Sequence, residues 1–198
     1  MLSKLTRRHA LSLAAATLVT GAAPAWALNE TQARKLVNAL VAEINTVIGS
    51  GKSEAAMIGD FEKIFARYAD VPIMARYALG VDARTASASQ MNAFTKAFAS
   101  YISRKYGRRF REFIGGEIEV KSARAIKAGY EIKCVAFLQG QAPFEVTFLV
   151  SDKSGRDKFF NMFIEGVNLL LTERTEIGAM LDRRGGNIDK MIADLKKA

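Results

Sequence analysis

At 198 residues, 49% hydrophobic and 25% charged, the chain has the length and composition of one folded domain with a sizeable core. It carries a formal charge of +9, one cysteine and one histidine. A single cysteine excludes an intramolecular disulfide, and so small a stock of sulfur and imidazole leaves little room for zinc or triad chemistry.

Residues 1–27 have the form of an export signal. Lys4, Arg7 and Arg8 precede an Ala/Leu-rich run from Ala10 to Ala23, and Ala25-Trp26-Ala27 fits an A-x-A cleavage site. Arg7-Arg8 resembles a twin-arginine signal with Ala10 where an aromatic is usual, which leaves both the twin-arginine and Sec routes open. Thr17, Thr20, Gly21 and Pro24 break the apolar run, which is short for a bilayer span. Cleavage leaves a single domain over 28–198 and removes His9 and Trp26. Without His9 the chain cannot assemble a Ser-His-Asp triad, a Cys-His pair or a His-based zinc site. Cys134 falls in an apolar strand and is expected to be an inert buried thiol. The domain keeps 26 basic and 20 acidic residues, a net charge of +6. That balance suits anionic lipid surfaces or acidic protein partners, and export removes nucleic acid as a partner.

Apolar residues at three-and-four spacing predict a helix over 30–48, capped by Asn29 and stopped by Gly49-Ser50-Gly51, and a second over 53–68 through Met57, Phe61 and Phe65. A short helix follows, with Asp70 as cap, Pro72 in the first turn and Gly80 at the end. Ser87-Ala88-Ser89-Gln90 reads as a capping box opening a long helix to about Phe113, whose stripe holds Met91, Phe94, Phe98, Tyr101, Tyr106 and Phe110. After Gly115-Gly116 the period drops to two. Ile118 and Val120, then Ile132, Cys134 and Ala136, then Phe144, Val146 and Phe148 alternate with polar residues. A fourth strand from Lys158 places Phe160, Met162 and Ile164 on one side, and from Gly166 helical spacing resumes through Val167, Leu170, Leu171, Arg174 and Ile177 to about Leu181. Gly185-Gly186 separates a last helix capped by Asn187. The result is an α+β architecture: a four-stranded antiparallel sheet, apolar on one face, with helices packed on that side.

The stretch Ile164-Glu165-Gly166-Val167-Asn168-Leu169 through Arg174 resembles the "IEGVSLvxtxR" signature of the MlaC family of periplasmic phospholipid shuttles. The segment Ala75 to Gly80, the aromatic stripe and the closing helix are also similar to that family. The family has Ser where Asn168 stands, and often an aromatic where Asp157-Lys158-Phe159 stands. The resemblance implies a curved sheet related to nuclear-transport-factor-2-like and cystatin-like folds, half closed by helices around an apolar pocket. It implies a carrier between outer and inner membranes that maintains outer-membrane lipid asymmetry. Its partners would be phospholipid, an outer-membrane lipoprotein and porin complex, and an inner-membrane lipid ABC transporter. No catalytic group, metal or cofactor is required, and a monomer suffices.

The physics suits such a role. Exposing about 30 tail methylenes to water at about 0.8 kcal/mol each costs roughly 24 kcal/mol, which an apolar pocket removes. The expected pocket wall comprises Met57, Phe61, Met91, Phe94, Phe98, Ile132, Cys134, Phe144, Val146, Phe148, Met162, Ile164 and Val167. Arg104, Arg108 and Arg111 are expected to form a head-group or partner surface. Two rivals stand beside the carrier. One is a small-molecule enzyme (dehydratase, isomerase or hydrolase) in the same cone, with Glu165 as base and Tyr106 as acid. The other is a lipid-free structural adaptor.

Overall fold

Helix capping divides the N-terminal half. In a computed structural model that describes residues 28–198, the side chains of 109–111 excepted, α1 (Glu30–Ile48) opens on a reciprocal pair in which Asn29 and Gln32 each accept from the other's backbone N–H. Residues 1–27, expected to be an export signal and holding His9 and Trp26, lie outside the described residues. Ser53 caps α2 (Glu54–Tyr68) and Asp70 caps α3 (Val71–Leu79), which a 3-10 turn, Gly80–Arg84, follows. The Ser87 and Gln90 capping box opens α4 (Ala88–Gly107) as its sequence predicts.

The long helix is shorter than its stripe suggests. It ends at Gly107 and continues as a 3-10 segment, Arg108–Phe113. A Cβ at Gly107 would come within 3.0 Å of Ile58 Cγ1, so α2 crosses α4 where the side chain is missing. The change of winding turns Phe113 toward the sheet, where its ring meets that of Phe144 edge-on, with centroids 5.9 Å apart.

The sheet is an antiparallel meander in the order β1 (Glu117–Ile126), β2 (Gly129–Phe137), β3 (Phe144–Ser151), β4 (Lys158–Ile164) and β5 (Val167–Asn168). Five strands replace the expected four, because the segment after Gly166 does not pass directly into a helix. Glu165 and Gly166 both have positive φ, 48° and 79°, and form a two-residue hairpin loop that pairs Ile164 with Val167. Only after Asn168, whose side chain accepts from Leu171 N, does α5 (Leu169–Asp182) begin. Helix α6 (Ile188–Leu195) closes the chain against α4 and α5. Asn168 therefore acts as an N-cap, a task Ser performs equally well, so the departure from the resembled signature leaves the cap intact.

A bulge also corrects the phase of β4. Leu149 pairs with Asn161 but Val150 pairs with Phe159, so Phe160 drops out of register and Phe159 enters the core. Met162 and Ile164 keep their inner positions opposite Phe148 and Val146.

Ile132, Cys134, Ala136, Val146, Phe148 and Val150 line the buried face of the sheet. Helix α1 lies across β1 and β2, while α3 and α5 reach β4. Gly129 opens β2 at φ 139°, and a Cβ there would stand 2.1 Å from the Val150 carbonyl oxygen. Gly129→Ala should therefore lose about 1–3 kcal/mol of stability, read as a lower urea midpoint with unchanged slope.

Candidate functional site

Between the curved sheet and the helices lies a cavity of about 380 Å³, inside the roughly 300–1,000 Å³ range of small-ligand sites. Its inner end is built from buried apolar side chains: Leu40 and Ile44 on α1, Phe61 and Ile64 on α2, Met74 on α3, and Phe148 and Phe159 from the sheet. The exposed lining residues Glu112, Gln141, Ala142 and Glu165 mark the opening.

Of the expected wall, Phe61, Phe98, Phe144, Val146, Phe148, Met162 and Ile164 line this space. Met57, Phe94, Ile132 and Cys134 are buried in the solid core beside it, and Met91 packs on that core half-buried. For the strand positions the cause is location within the sheet: Ile132 and Cys134 lie on β2 beneath α1, away from the gap. Burial pushes the Cys134 thiol up to about 12, so it stays protonated. Val167 faces the other way and is 55% exposed, because the hairpin turns it out of the helical phase assigned to it. The residues that sequence reading missed, among them Ile64, Phe65, Leu138 and Phe159, carry no signal that separates a cavity wall from packed core.

The expected basic surface divides. Arg104 donates to the Leu195 carbonyl at 2.9 Å and ties α4 to the C-terminal helix. Arg108 is exposed, and the Arg111 side chain lies outside the described residues. None of the described lining residues is Lys or Arg. Among the described lining residues the charged groups are three carboxylates, Glu112, Glu165 and Glu173.

Glu173 is the unusual one, at 1% exposure. Its Oε1 accepts from Lys105 Nζ at 2.8 Å and from the Tyr106 hydroxyl at 2.5 Å. Lys105 also bonds Glu176 at 2.6 Å, and the Tyr101 hydroxyl donates to Glu176 at 2.9 Å. Burial, then the hydrogen bond to Glu173, pushes the Tyr106 hydroxyl well above its ordinary value, so it serves as a donor and not as an acid. Burial by itself lowers Lys105, but the two carboxylates more than offset this and hold it above its ordinary value, fully charged.

Burial raises Glu176, yet the bonds from Lys105 and Tyr101 prevail and hold its carboxyl below the usual 4.5. A carboxyl held low in the folded chain adds stability above its unfolded value and loses it as pH falls through the folded one. Thermal melts of Glu176→Gln should therefore show a lower Tm than the parent at pH 6, with the gap closing below about pH 4.

Arg174, from the segment that resembles the family signature, lies outside the cavity lining. Its guanidinium stacks 5.1 Å from the Tyr77 ring centroid and stands beside Gly80, where a Cβ would come 3.4 Å from Nε. The two motif segments, Ala75 to Gly80 and Ile164 to Arg174, thus meet as a clamp between α3 and α5.

Fold and site together define a class: an α+β domain in which a curved antiparallel meander and its helices enclose an apolar cavity with an acidic wall. The family model described as "MlaC protein" matches residues 34–197. The chain belongs to the MlaC family. Among solved structures it is similar to a phospholipid-binding protein from Ralstonia solanacearum determined in complex with a phospholipid. The TM-score is 0.69 at 18% identity, over 82% of this chain and 98% of that one, a likeness of fold. No curated protein matches the chain. Among the described residues, no helix is long and apolar enough to cross a membrane, and no group of three or more side chains is placed to hold a metal.

Proposed function

We propose that the chain is a periplasmic phospholipid carrier that takes lipid tails into the cavity and shuttles them between the outer and inner membranes, maintaining outer-membrane lipid asymmetry. The observation that carries this reading is an open-mouthed, mostly apolar cavity of about 380 Å³ in a chain of the MlaC family. The phospholipid held by the Ralstonia solanacearum fold neighbour supports it. Tails leaving a bilayer for an apolar wall pass between similar environments, so loading and release are nearly balanced and direction is set at each membrane.

In this reading residues 1–27 are removed on export, and residues 28–198 work as one domain, a monomer on a cone-shaped sheet of the nuclear-transport-factor-2-like and cystatin-like kind. The guest is a phospholipid, with no other cofactor and no nucleic acid. Docking partners are an outer-membrane lipoprotein and porin complex and an inner-membrane lipid ABC transporter, met in part through Arg108 and Arg111. An enzyme is disfavoured by the state of Tyr106, which is committed as a donor to Glu173 and raised far from acid strength. Organic extraction of the purified mature protein, followed by mass spectrometry, tests the carrier. Stoichiometric phospholipid is the expected result; a folded protein that holds none and takes up none from vesicles overturns it in favour of the adaptor.

A further inference from the structure

Six large hydrophobic side chains are exposed among the described residues, and five of them lie on two neighbouring parts of the fold. Ile73, Tyr77 and Val81 belong to α3 and its 3-10 turn, Val167 and Leu171 to β5 and α5. Helices α3 and α5 pack together. Ile73 and Tyr77 stand one turn apart on α3, Leu171 and Arg174 one turn apart on α5, and the Arg174 guanidinium over the Tyr77 ring joins the two rows. Scattered exposed aliphatics are ordinary, whereas a grouped face of them marks an interaction surface.

The chemistry of this face fits a bilayer. Three arginines, Arg76, Arg84 and Arg174, stand among its apolar tips, against two carboxylates of these segments that Lys105 does not engage, Asp82 and Glu165. Residues 28–198 as a whole carry a charge of +6, which draws them to an anionic surface. Aliphatic side chains seat just below lipid head groups, while a tyrosine ring and snorkelling guanidiniums stay at the level of the phosphates. The cavity lies directly behind. Met74 and Leu170, on the same two helices, line it. Docking by this face therefore brings the cavity to about one helix diameter, roughly 10–12 Å, from the bilayer.

We infer that the outer face of α3 and α5 docks on anionic bilayers, with Ile73, Tyr77, Val81 and Leu171 seated in the surface and Arg76, Arg84 and Arg174 at the phosphates. The inference rests on the carrier reading for its purpose, since the guest comes from a bilayer, but docking is measured separately from what the cavity holds.

Residues 28–198 contain no tryptophan, so one can be placed as a reporter in the mature protein. Leu171→Trp sets it on the face, and Ala125→Trp sets it on exposed β1 at the opposite edge of the sheet. Each is mixed with vesicles of equal parts phosphatidylglycerol and phosphatidylcholine bearing brominated tails. Leu171→Trp fluorescence should shift to the blue and be quenched, and Ala125→Trp fluorescence should not change. In flotation with unbrominated vesicles of the same composition, Ile73→Ser combined with Leu171→Ser should weaken binding roughly tenfold, and Arg76→Gln about fivefold. Binding that survives the double serine variant and leaves Leu171→Trp unquenched is diffuse attraction of a basic chain and overturns the docking face. Absence of vesicle binding by the parent overturns it too, as does a dimer in sedimentation equilibrium that the double variant abolishes, which assigns the face to a second copy. Phospholipid extracted from the parent reads the carrier separately: docking without bound lipid sinks the carrier alone, and bound lipid without docking sinks the docking face alone.

Discussion

Val146→Arg should empty the protein of lipid. Val146 lies on β3 opposite Cys134 on one side and Ile164 on the other, 4% exposed, with its side chain on the cavity wall. An arginine there drives a charged guanidinium into the space that tails would fill. Excluding even about four methylenes forfeits about 3 kcal/mol, or a hundredfold or so in loading. The cavity spares the larger side chain the overpacking that a solid core would impose, so the variant should still be exported and keep its far-ultraviolet circular dichroism. Val146→Ala is the control: it widens the wall, adds no charge and should retain lipid. Normal loading of the arginine variant would show that this face of β3 does not contact the guest.

Lys105→Met should be the most destabilising single change in the polar cluster. The ammonium is held by Glu173 and Glu176 and lies 5.5 and 5.6 Å from the Tyr101 and Tyr106 ring centroids. Methionine keeps the stem and loses the charge, leaving the Glu173 carboxylate buried with Tyr106 as its sole donor. Breaking a buried pair from one side costs roughly 3–5 kcal/mol, and the partial exposure of Lys105 argues for the lower end, about 3 kcal/mol. In a domain of this size that lowers Tm by roughly 6–12 °C. Adding Glu173→Gln should recover part of the loss, since the stranded charge is then gone, and the double-mutant cycle reads the coupling directly. A loss under about 1 kcal/mol would mean that solvent reaches Glu173 and screens the pair.

Both variants turn on a distinction that one-dimensional patterns do not make. Periodicity marks a residue as facing inward, but a cavity wall and a packed core share the same periodicity. Phe148 and Ile132 sit on the same face of neighbouring strands and pair directly, yet one borders empty space and the other is sealed beneath α1. The difference arises from how far each helix stands from the sheet, a property of no single segment.

Local chemistry was legible wherever it acts within a few residues. The caps at Asn29, Asp70, Ser87 and Asn187, the helices they open and the meander of β1 to β4 follow from side chains that bond their own backbone and from alternation on a pleated strand. The motif around Glu165 also marked the family by itself. Its geometry was not legible, because a two-residue loop with positive φ and a bulge at Phe160 are settled by pairing with β3. The cluster of Tyr101, Lys105, Tyr106, Glu173 and Glu176 was equally hidden: its α4 and α5 members lie 67 to 75 residues apart and meet only where long side chains of the two helices reach each other in the folded domain. Sequence determined the elements and the kinship of this protein, since both rest on short-range order. Tertiary structure alone decided where the interior stays open and which buried oxygen is left without a donor, since both depend on distances between elements remote in the chain.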